Sequence, residues 1–477
     1  DQKVLSYIGN MVNDTQAVAQ AEVNMIHAPR SSGSILKPLL VAAALERGLV
    51  INQSLIPDVP IVINGFRPEN FSRNYSGAAN IHEVIRNSLN IPSVLLLKDL
   101  GVVDFYNVLK KLGFSTLFRT PVDYGLSLVL GGAEINMWDL TSAYSYLMHN
   151  LTHYNEYRHL YLPREHFHLN LLEKDSVNSQ IKNVDPPLFS AASIKLMFDN
   201  MRNPYGKSNF KEYTQDKLSN VAWKTGTSFG YKDAWCIGVT PDYTVCVWLG
   251  NANGLARPGL IGVETAAPLM FEIINQLSTS SDWVIPYDDF IYLPICSKSG
   301  YVANEYCEHV DTVFASRNSQ QLKSCPYHHS ILLDKTMKYQ VFADCELYTI
   351  SKNYFILPPL MAHYYKEQHS DYIVLPELSP DCLLHSNVES TAMEFIYPNS
   401  KTSIVVPIDL DNERNIVIFK AVHKNRDASI NWFLDDHFIE STRSVHEVKC
   451  RPEAGKHVLT ISDDQGQSKM IKFEVER

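Results

Sequence analysis

The sequence lacks any apolar run long enough to cross a membrane. A spanning helix needs about 18 consecutive apolar residues, and the apolar stretch Leu39–Leu45 ends at Glu46. Positive charge is also in deficit: 42 Lys and Arg residues face 52 Asp and Glu residues, a net charge of −10. This balance argues against a nucleic-acid partner. With 45% hydrophobic and 20% charged residues, the composition also excludes collagen, coiled coil and disorder.

No secretory signal opens the chain. Asp1 leads directly into Val4–Ile8, whose residues predict a β-strand. We therefore expect the sequence to be a trimmed or processed fragment of a longer protein. Its 477 residues suffice for about three domains.

Two widespread catalytic signatures are missing. The chain has no His-Glu-x-x-His and no Gly-x-x-x-x-Gly-Lys string. These motifs mark zinc peptidases and P-loop nucleotide-binding proteins. The sequence therefore favours neither of these classes.

Eight cysteines are unevenly distributed. Cys236 and Cys246 lie in apolar, strand-like runs, which predicts buried thiols or a cross-strand pair. Five more fall within one region: Cys296, Cys307, Cys325, Cys345 and Cys382. Their spacing, even with His328 and His329 nearby, fits no standard zinc pattern, so we favour disulfides or thiols over a metal site. We predict neither a metal nor another cofactor.

Residues 1–286 are predicted to form an α+β domain in which helices precede hairpin-linked strands. The predicted helices are Ser34–Arg47, stopped by Gly48, then Ile81–Asn90, Val94–Leu112 with Gly101 interrupting it, Met137–Asn150, Ser190–Arg202 and Val263–Leu277. The predicted strands are Val221–Thr225, Ala234–Val239 and Tyr243–Leu249.

The remaining chain divides in two. Residues 287–387 form a Cys-rich segment without long periodicity, predicted to be an irregular connector. Residues 388–477 alternate with a period of two between frequent turns, which predicts a small all-β, Ig-like sandwich with Trp432 in its core. The clearest strands are Ile404–Ile408, Asn415–Ala421, Ser429–Leu434, His457–Ser462 and Lys469–Val475.

Ser34-Ile-Leu-Lys37 is the first of three short motifs that contain candidate catalytic residues. Residues i and i+3 share a helix face, so the Lys37 amine can reach the Ser34 hydroxyl. A serine becomes nucleophilic when a base takes its proton, and a partly desolvated lysine can do so. Gly33 permits close approach of the chain at the helix start, where backbone N–H groups can meet an oxyanion.

The other two motifs supply polar groups for a peptide substrate. Ser88-Leu-Asn90 offers a hydroxyl that can relay a proton and a carboxamide that can bind an amide. Lys224-Thr-Gly-Thr227 offers a fixed positive charge and two hydroxyls for an anion, while Gly226 lets a substrate backbone lie close to the strand.

Order and context make these motifs informative. Ser-x-x-Lys recurs at Ser208–Lys211, and Ser-x-Asn recurs at Ser72–Asn74, whereas Lys-Thr-Gly occurs once. A single copy is typical of a solvated helix face or a turn. The ordered set Ser-x-x-Lys, Ser-x-Asn, Lys-Thr-Gly is found in β-lactamases and penicillin-binding proteins.

The chain resembles class A members of the penicillin-binding protein family over about residues 1–285, and its C-terminal part resembles the module of one branch of that class. The segments that carry the resemblance are Arg30–Pro38, Asp58–Pro60, Pro68–Asn70, Tyr75–Gly77, Ser88–Ser93, Leu130–Glu134, Trp223–Ser228 and Lys232–Trp235. The resemblance implies a penicillin-binding transpeptidase fold, with an antiparallel sheet flanked by helices and a helical subdomain.

The resemblance also implies a function and residue roles. The protein would be a peptidoglycan DD-transpeptidase, acylated by D-Ala-D-Ala stem peptides and by β-lactams. Catalysis would use Ser34 as nucleophile, Lys37 as base, Ser88 as proton relay and Lys224 as cation. The backbone N–H groups of Ser34 and Thr227 would form the oxyanion hole. The substrate-binding residues would be Asn90, Thr225, Gly226 and Thr227. An N-terminal membrane anchor would hold the native protein at the periplasmic face of the bacterial inner membrane.

Alternatives stay open. A β-lactamase is disfavoured because class A enzymes use a Glu-x-x-Leu-Asn string, which is missing here. A DD-carboxypeptidase needs the same site, and a non-catalytic β-lactam sensor or peptidoglycan-binding scaffold could retain it. The C-terminal module, which has no catalytic motif, is a candidate surface for other cell-wall synthesis proteins.

Overall fold

The fold is described from a computed structural model. It describes residues 2–11, 22–61, 63, 66–156, 159, 161, 169, 187–202, 220–277, 282–343, 345–383, 392–399, 403–406, 416–435, 437–463 and 467–476. The described residues form two compact units, one built mainly from the chain up to residue 325 and the other mainly from residues 326–477.

Helices and strands are numbered here in chain order. The helices of the described residues are α1 Lys37–Glu46, α2 Ile81–Arg86, α3 Asn90–Leu100, α4 Val102–Lys111, α5 Pro121–Tyr124, α6 Met137–Glu156, α7 Ala191–Met201, α8 Gly262–Gln276, α9 Pro359–Gln368 and α10 Pro380–Leu383. The strands are β1 Arg30–Ser31, β2 Leu55–Asp58, β3 Gly77–Asn80, β4 Glu134–Ile135, β5 Ala222–Thr227, β6 Asp233–Val239, β7 Thr244–Gly250, β8 Phe290–Cys296, β9 Val310–Ser316, β10 His328–Asp334, β11 Tyr339–Gln340, β12 Thr349–Phe355, β13 Glu377–Leu378, β14 Met393–Tyr397, β15 Ser403–Val405, β16 Val417–His423, β17 Ser429–Leu434, β18 His437–Arg443, β19 His446–Cys450, β20 Gly455–Asp463 and β21 Ser468–Glu476.

An antiparallel sheet with the order β5-β6-β7 organises the first unit. Helix α8 packs on it, and their shared core contains Cys236, Val247, Met270 and Phe271. Every residue of the central strand β6 is buried, so both faces of this strand are covered. The predicted α+β class is confirmed, and the three predicted strands and helix α8 lie within a few residues of their expected positions.

Glycines set the ends of several helices in this unit. Helix α1 ends before Gly48, whose φ of +64° suits a residue without a side chain. The predicted helix Val94–Leu112 is divided at Gly101, where φ is +97°, into α3 and α4. Ser190 caps α7 through its side chain, so the predicted helix Ser190–Arg202 is confirmed within one residue at each end.

Two expectations are wrong. Residues 4–8 do not form a strand: they pair with no strand among the described residues, and Leu5 and Ile8 are each 66% exposed. The segment 287–387 is not irregular, since it holds strands β8–β13 and helix α9. Its strands are short or largely exposed, which hides their alternation in the sequence. The domain boundaries predicted at residues 286 and 387 stay predictions.

The second unit ends in a β-sandwich. A three-stranded sheet, β14-β16-β19, and a five-stranded sheet, β15-β21-β20-β17-β18, share one hydrophobic core. Trp432 is fully buried there, as predicted, and its Nε1 donates to Thr442 Oγ1 at 2.8 Å. The sequence did not predict strands β14, β18 and β19. Polar residues occupy much of β18 and β19, which hides these two strands.

The described cysteines include one disulfide, between Cys345 and Cys382, while the other six are thiols. Cys236 lies on β6 and Cys246 on the neighbouring β7, one residue out of register. Burial raises the pKa of the Cys236 thiol well above its ordinary value, in agreement with the predicted buried thiol. No helix in the described part of the chain is long and apolar enough to span a membrane.

Candidate active site

The turn that carries Ser34 is pressed against strand β5. Ser34 is half-buried and lies just before α1, which begins at Lys37 rather than at Ser34. Gly33 adopts φ +52°, and a Cβ at this position would stand 2.6 Å from the carbonyl oxygen of Thr227. Only glycine allows this approach, so Gly33 brings the Ser34 turn into contact with the Lys-Thr-Gly strand. The N–H groups expected to form the oxyanion hole therefore belong to segments in contact.

Lys37 is fully buried and satisfies three acceptors. Its Nζ donates to Ser88 O at 2.7 Å, to Leu89 O at 3.0 Å and to Asn90 Oδ1 at 2.7 Å. Burial, together with the nearby charge of Lys224, holds the pKa of Lys37 well below its ordinary value. A buried lysine with a lowered pKa is suited to accept a proton.

The Lys37 amine, which was expected to reach the Ser34 hydroxyl, is hydrogen-bonded to other groups instead. An ammonium has three donors, and the three acceptors around Lys37 use all of them. Within the described residues, no hydrogen bond joins Lys37 Nζ to Ser34. A neutral lysine has two donors and one lone pair, so loss of one proton frees Nζ to accept a hydrogen bond from the nucleophile.

Ser88 connects the two buried lysines. Its carbonyl accepts from Lys37, and its hydroxyl accepts from Lys224 Nζ at 2.9 Å. Ser88 has φ +53°, a conformation that costs a residue with a side chain about 1–3 kcal/mol and is concentrated at functional sites. Lys224 is buried, which lowers its pKa to about 8. Its charge therefore depends on pH and is less fixed than the sequence suggested.

Strand β5 presents the Lys-Thr-Gly motif at the Ser34 turn. The Thr227 hydroxyl accepts from the N–H of Gly262, the first residue of α8, at 3.0 Å. Its own proton stays available to an anion. A Cβ on Gly226 would stand 2.7 Å from Ser32 O, so this glycine makes room for the protein's own backbone rather than for the substrate expected from sequence. Thr225 is half-buried on the same strand.

Two residues that sequence reasoning did not assign to the site support this turn. Trp235 Nε1 donates to Ser31 O at 2.8 Å, and the hydroxyl of the fully buried Tyr144 donates to Ile35 O at 3.2 Å. Burial raises the pKa of Tyr144 well above its ordinary value, so its proton is retained. Trp235 lies in a segment that carries the family resemblance, whereas Tyr144 has no local signal because it is remote in sequence from Ile35.

The structure brings the three motifs together. Direct contacts join Lys37 to Ser88 and Asn90, Ser88 to Lys224, and Gly33 to Thr227. The Ser-x-x-Lys copy at Ser208–Lys211 lies outside the described residues. A serine beside a buried lysine pair, on an α+β fold with this sheet, defines an enzyme of the serine acyl-transfer class.

Comparison with known proteins supports the same class. The model of the penicillin binding protein transpeptidase domain matches residues 1–270, and that of the Penicillin-Binding Protein C-terminus Family matches residues 382–473. The chain therefore belongs to the penicillin-binding protein transpeptidase family.

Two individual relatives are also penicillin-binding proteins. Penicillin-binding protein 1C of Escherichia coli (strain K12) is 30% identical over 285 residues, which cover 59% of this chain and 34% of that protein. Penicillin-binding protein 1A of Neisseria lactamica is 25% identical over 259 residues, covering 52% and 31%. The chain thus spans about a third of the length of these relatives.

A solved structure shares the fold. The crystal structure of Penicillin-Binding Protein 1A from Haemophilus influenzae matches with a TM-score of 0.50 and 17% identity, over 63% of this chain and 50% of that one. At this identity the likeness concerns the fold alone.

Proposed function

We propose that the chain is a peptidoglycan DD-transpeptidase that is acylated at Ser34. The observation that carries the proposal is the pair of buried lysines, Lys37 and Lys224, joined through Ser88 beside the Ser34 turn. Burial, together with the charge of Lys224, disfavours the charged form of Lys37, which makes its amine the candidate base. Membership of the transpeptidase family supports the same reaction class.

Acylation would begin with attack of Ser34 Oγ on the carbonyl carbon between two D-alanines. Neutral Lys37 takes the hydroxyl proton, and the backbone N–H groups of Ser34 and Thr227 bind the oxyanion. A positioned general base contributes about 10²–10⁴ in rate, which corresponds to about 2.7–5.5 kcal/mol. Breaking the peptide bond leaves the acyl group on Ser34 and releases D-alanine.

The leaving amine needs a proton, and Ser88 lies on the route. Its hydroxyl accepts from Lys224 and its backbone carbonyl accepts from Lys37, so a proton can pass from Lys224 through the Ser88 hydroxyl. We assign this relay role to Ser88.

Strand β5 and Asn90 would bind the substrate. Lys224, Thr225 and Thr227 would hold the terminal carboxylate, a group that all stem peptides and most β-lactams carry. Asn90 would bind the peptide amide through its NH₂ group, because its Oδ1 accepts from Lys37. Gly226 would act indirectly by letting Ser32 and the nucleophile turn approach the strand.

The acyl group would then transfer to an amine of a neighbouring stem peptide. We place this reaction at the periplasmic face of the bacterial inner membrane, where such peptides are exposed to β-lactams. Binding of other cell-wall synthesis proteins to residues 388–477 stays a prediction, which a pull-down with and without this module would examine.

A product assay separates the candidate functions. The chain is incubated with a stem peptide ending in D-Ala-D-Ala and a second peptide bearing a side-chain amine, and the products are read by mass spectrometry. A cross-linked product minus one D-alanine supports the proposal, and only shortened peptide supports a carboxypeptidase. Failure of both reactions in a chain that still binds penicillin covalently supports a sensor or scaffold. Ser34→Ala should abolish either product, while the nearby Ser32→Ala should not.

A further inference from the structure

Four metal-ligating side chains converge in the segment 296–328. Cys296 ends β8, His328 begins β10, and Cys307 and Cys325 lie between them in sequence. The three sulfur atoms and one ring nitrogen all lie within 4.8 Å of one another. Cys325 and His328 are separated by only two residues, so the chain itself keeps this pair together. Nothing in the acyl-transfer reaction uses these groups.

The separations suit a tetrahedral ion. With metal–sulfur bonds of about 2.3 Å, a metal–nitrogen bond of about 2.0 Å and tetrahedral angles, a sulfur and a nitrogen ligand stand about 3.5 Å apart and two sulfurs about 3.8 Å. The observed distance from Cys307 Sγ to His328 Nδ1 is 3.6 Å. A disulfide would instead need two sulfurs about 2.05 Å apart and would leave the histidine without a role.

Hydrogen-bond donors surround the sulfur atoms. The N–H groups of Lys298 and Ser299 donate to Cys296, and the Ser299 hydroxyl donates to Cys325 Sγ at 3.1 Å. The N–H of Asn304 donates to Cys307 Sγ at 3.4 Å. Donors directed at sulfur stabilise thiolates, the form in which cysteine binds a metal. The Cys307 thiol donates to Asn304 Oδ1 at 3.2 Å, and this is a proton that a metal would displace.

The histidine is oriented by its strand. His328 is 5% exposed, its ring packs 5.1 Å from that of Phe355, and its carbonyl accepts from Asn304 Nδ2 at 3.1 Å. Cys296 and Cys325 are also buried, at 0% and 4% exposure. Nδ1 therefore faces sulfur in a largely solvent-excluded site, where a bound ion would have no competition from water.

We propose that Cys296, Cys307, Cys325 and His328 bind one Zn²⁺ through three thiolates and the Nδ1 of the imidazole. Thiolate and imidazole in a tetrahedral arrangement select zinc among the common divalent cations. Four protein ligands leave no open position, so the site is structural and independent of acyl transfer. This replaces the sequence-based preference for disulfides or thiols at Cys296, Cys307 and Cys325.

The metal content of the purified full chain tests the proposal. Protein prepared without chelator should contain about one zinc per chain by elemental mass spectrometry, and X-ray absorption at the zinc edge should fit three sulfurs and one nitrogen. Wild-type protein without stoichiometric zinc, or a disulfide joining two of the three cysteines in non-reduced peptide maps, overturns it.

Matched variants locate the ion. His328→Asn should lose zinc, whereas His329→Asn should keep it, because His329 is exposed and its ring contacts Pro326 O. Cys307→Ser should lose zinc and Cys450→Ser should retain it. Equal zinc in His328→Asn and His329→Asn contradicts the ligand set. If His328→Asn does not fold, the absorption spectrum of the wild type still decides. Ser34→Ala should keep full zinc, so this proposal and the proposed function can fail separately.

Discussion

The burial of Lys224 predicts that acylation weakens as pH rises through about 8. Burial lowers the pKa of Lys224 to about 8, so the ammonium that is assigned to the substrate carboxylate is charged below that pH and neutral above it. With this pKa, about 90% of the chains carry the charge at pH 7 and about 9% at pH 9. The second-order rate constant of acylation by a carboxylate-bearing penicillin should therefore fall about tenfold between these values.

Titration of Lys37 cannot produce the same falling limb, that is, the decrease of the acylation rate constant at alkaline pH. It acts as a base when neutral, so a rising pH increases its active fraction. The two lysines therefore have opposite effects, and a fall at alkaline pH is attributable to Lys224. Lys224→Arg keeps the charge at all accessible pH values and should remove the falling limb, even where its rate is lower.

Stopped-flow or gel-based labelling with a fluorescent penicillin, at constant ionic strength, measures this profile. Circular dichroism at each pH provides the control for unfolding. A wild-type rate constant that stays level or rises up to pH 9.5 would refute the reasoning. The same falling limb in Lys224→Arg would refute the assignment to Lys224.

Three further predictions follow from buried contacts. Lys37→Met should lower the acylation rate about 10²–10⁴-fold with penicillin binding before acylation retained, and an unchanged rate would exclude Lys37 as base. Gly33→Ala should lower the rate of acylation at least about tenfold, because its Cβ would stand 2.6 Å from Thr227 O. The control Gly125→Ala, at a similar φ of +51° and with nothing within 4 Å of its Cβ, should be acylated normally. Equal effects of the two substitutions would contradict the role of Gly33. Trp432→Ala should lower the free energy of unfolding of the β-sandwich by about 3–5 kcal/mol in denaturant titrations, and a loss below about 1 kcal/mol would contradict its place in the core.

Local signals predicted much of the first unit. Strands β5, β6 and β7 have short apolar runs between turn residues, and the break at Gly101 needed only a residue that tolerates positive φ. The motif residues Ser34, Ser88 and Lys224 could also be found, because their order along the chain is informative.

The contacts among those residues could not be predicted from spacing. That Lys37 is satisfied by Ser88, Leu89 and Asn90 depends on the packing of α1 against α3, and Tyr144 reaches Ile35 only through the fold. Residues 4–8 illustrate the opposite case: their residue types favour a strand, but they pair with no strand in the described part of the chain, and Leu5 and Ile8 are exposed.

The cysteines illustrate the same limit. Cys296 and Cys307 are brought to Cys325 and His328 by pairing of β8 with β9 and by turns, not by a short repeated spacing. A motif search therefore passes over them. The Cys345–Cys382 disulfide was likewise not assignable, since pairing depends on geometry that the sequence does not reveal.

Mapping of the covalent penicillin adduct tests the central claim most directly. The chain is reacted with penicillin, its intact mass is measured, and the modified residue is identified by tandem mass spectrometry after proteolysis. We predict a single adduct per chain, located on Ser34, absent from Ser34→Ala and present in Ser32→Ala. An adduct on another residue, or an equal adduct in Ser34→Ala, would contradict the assignment of Ser34 as the nucleophile.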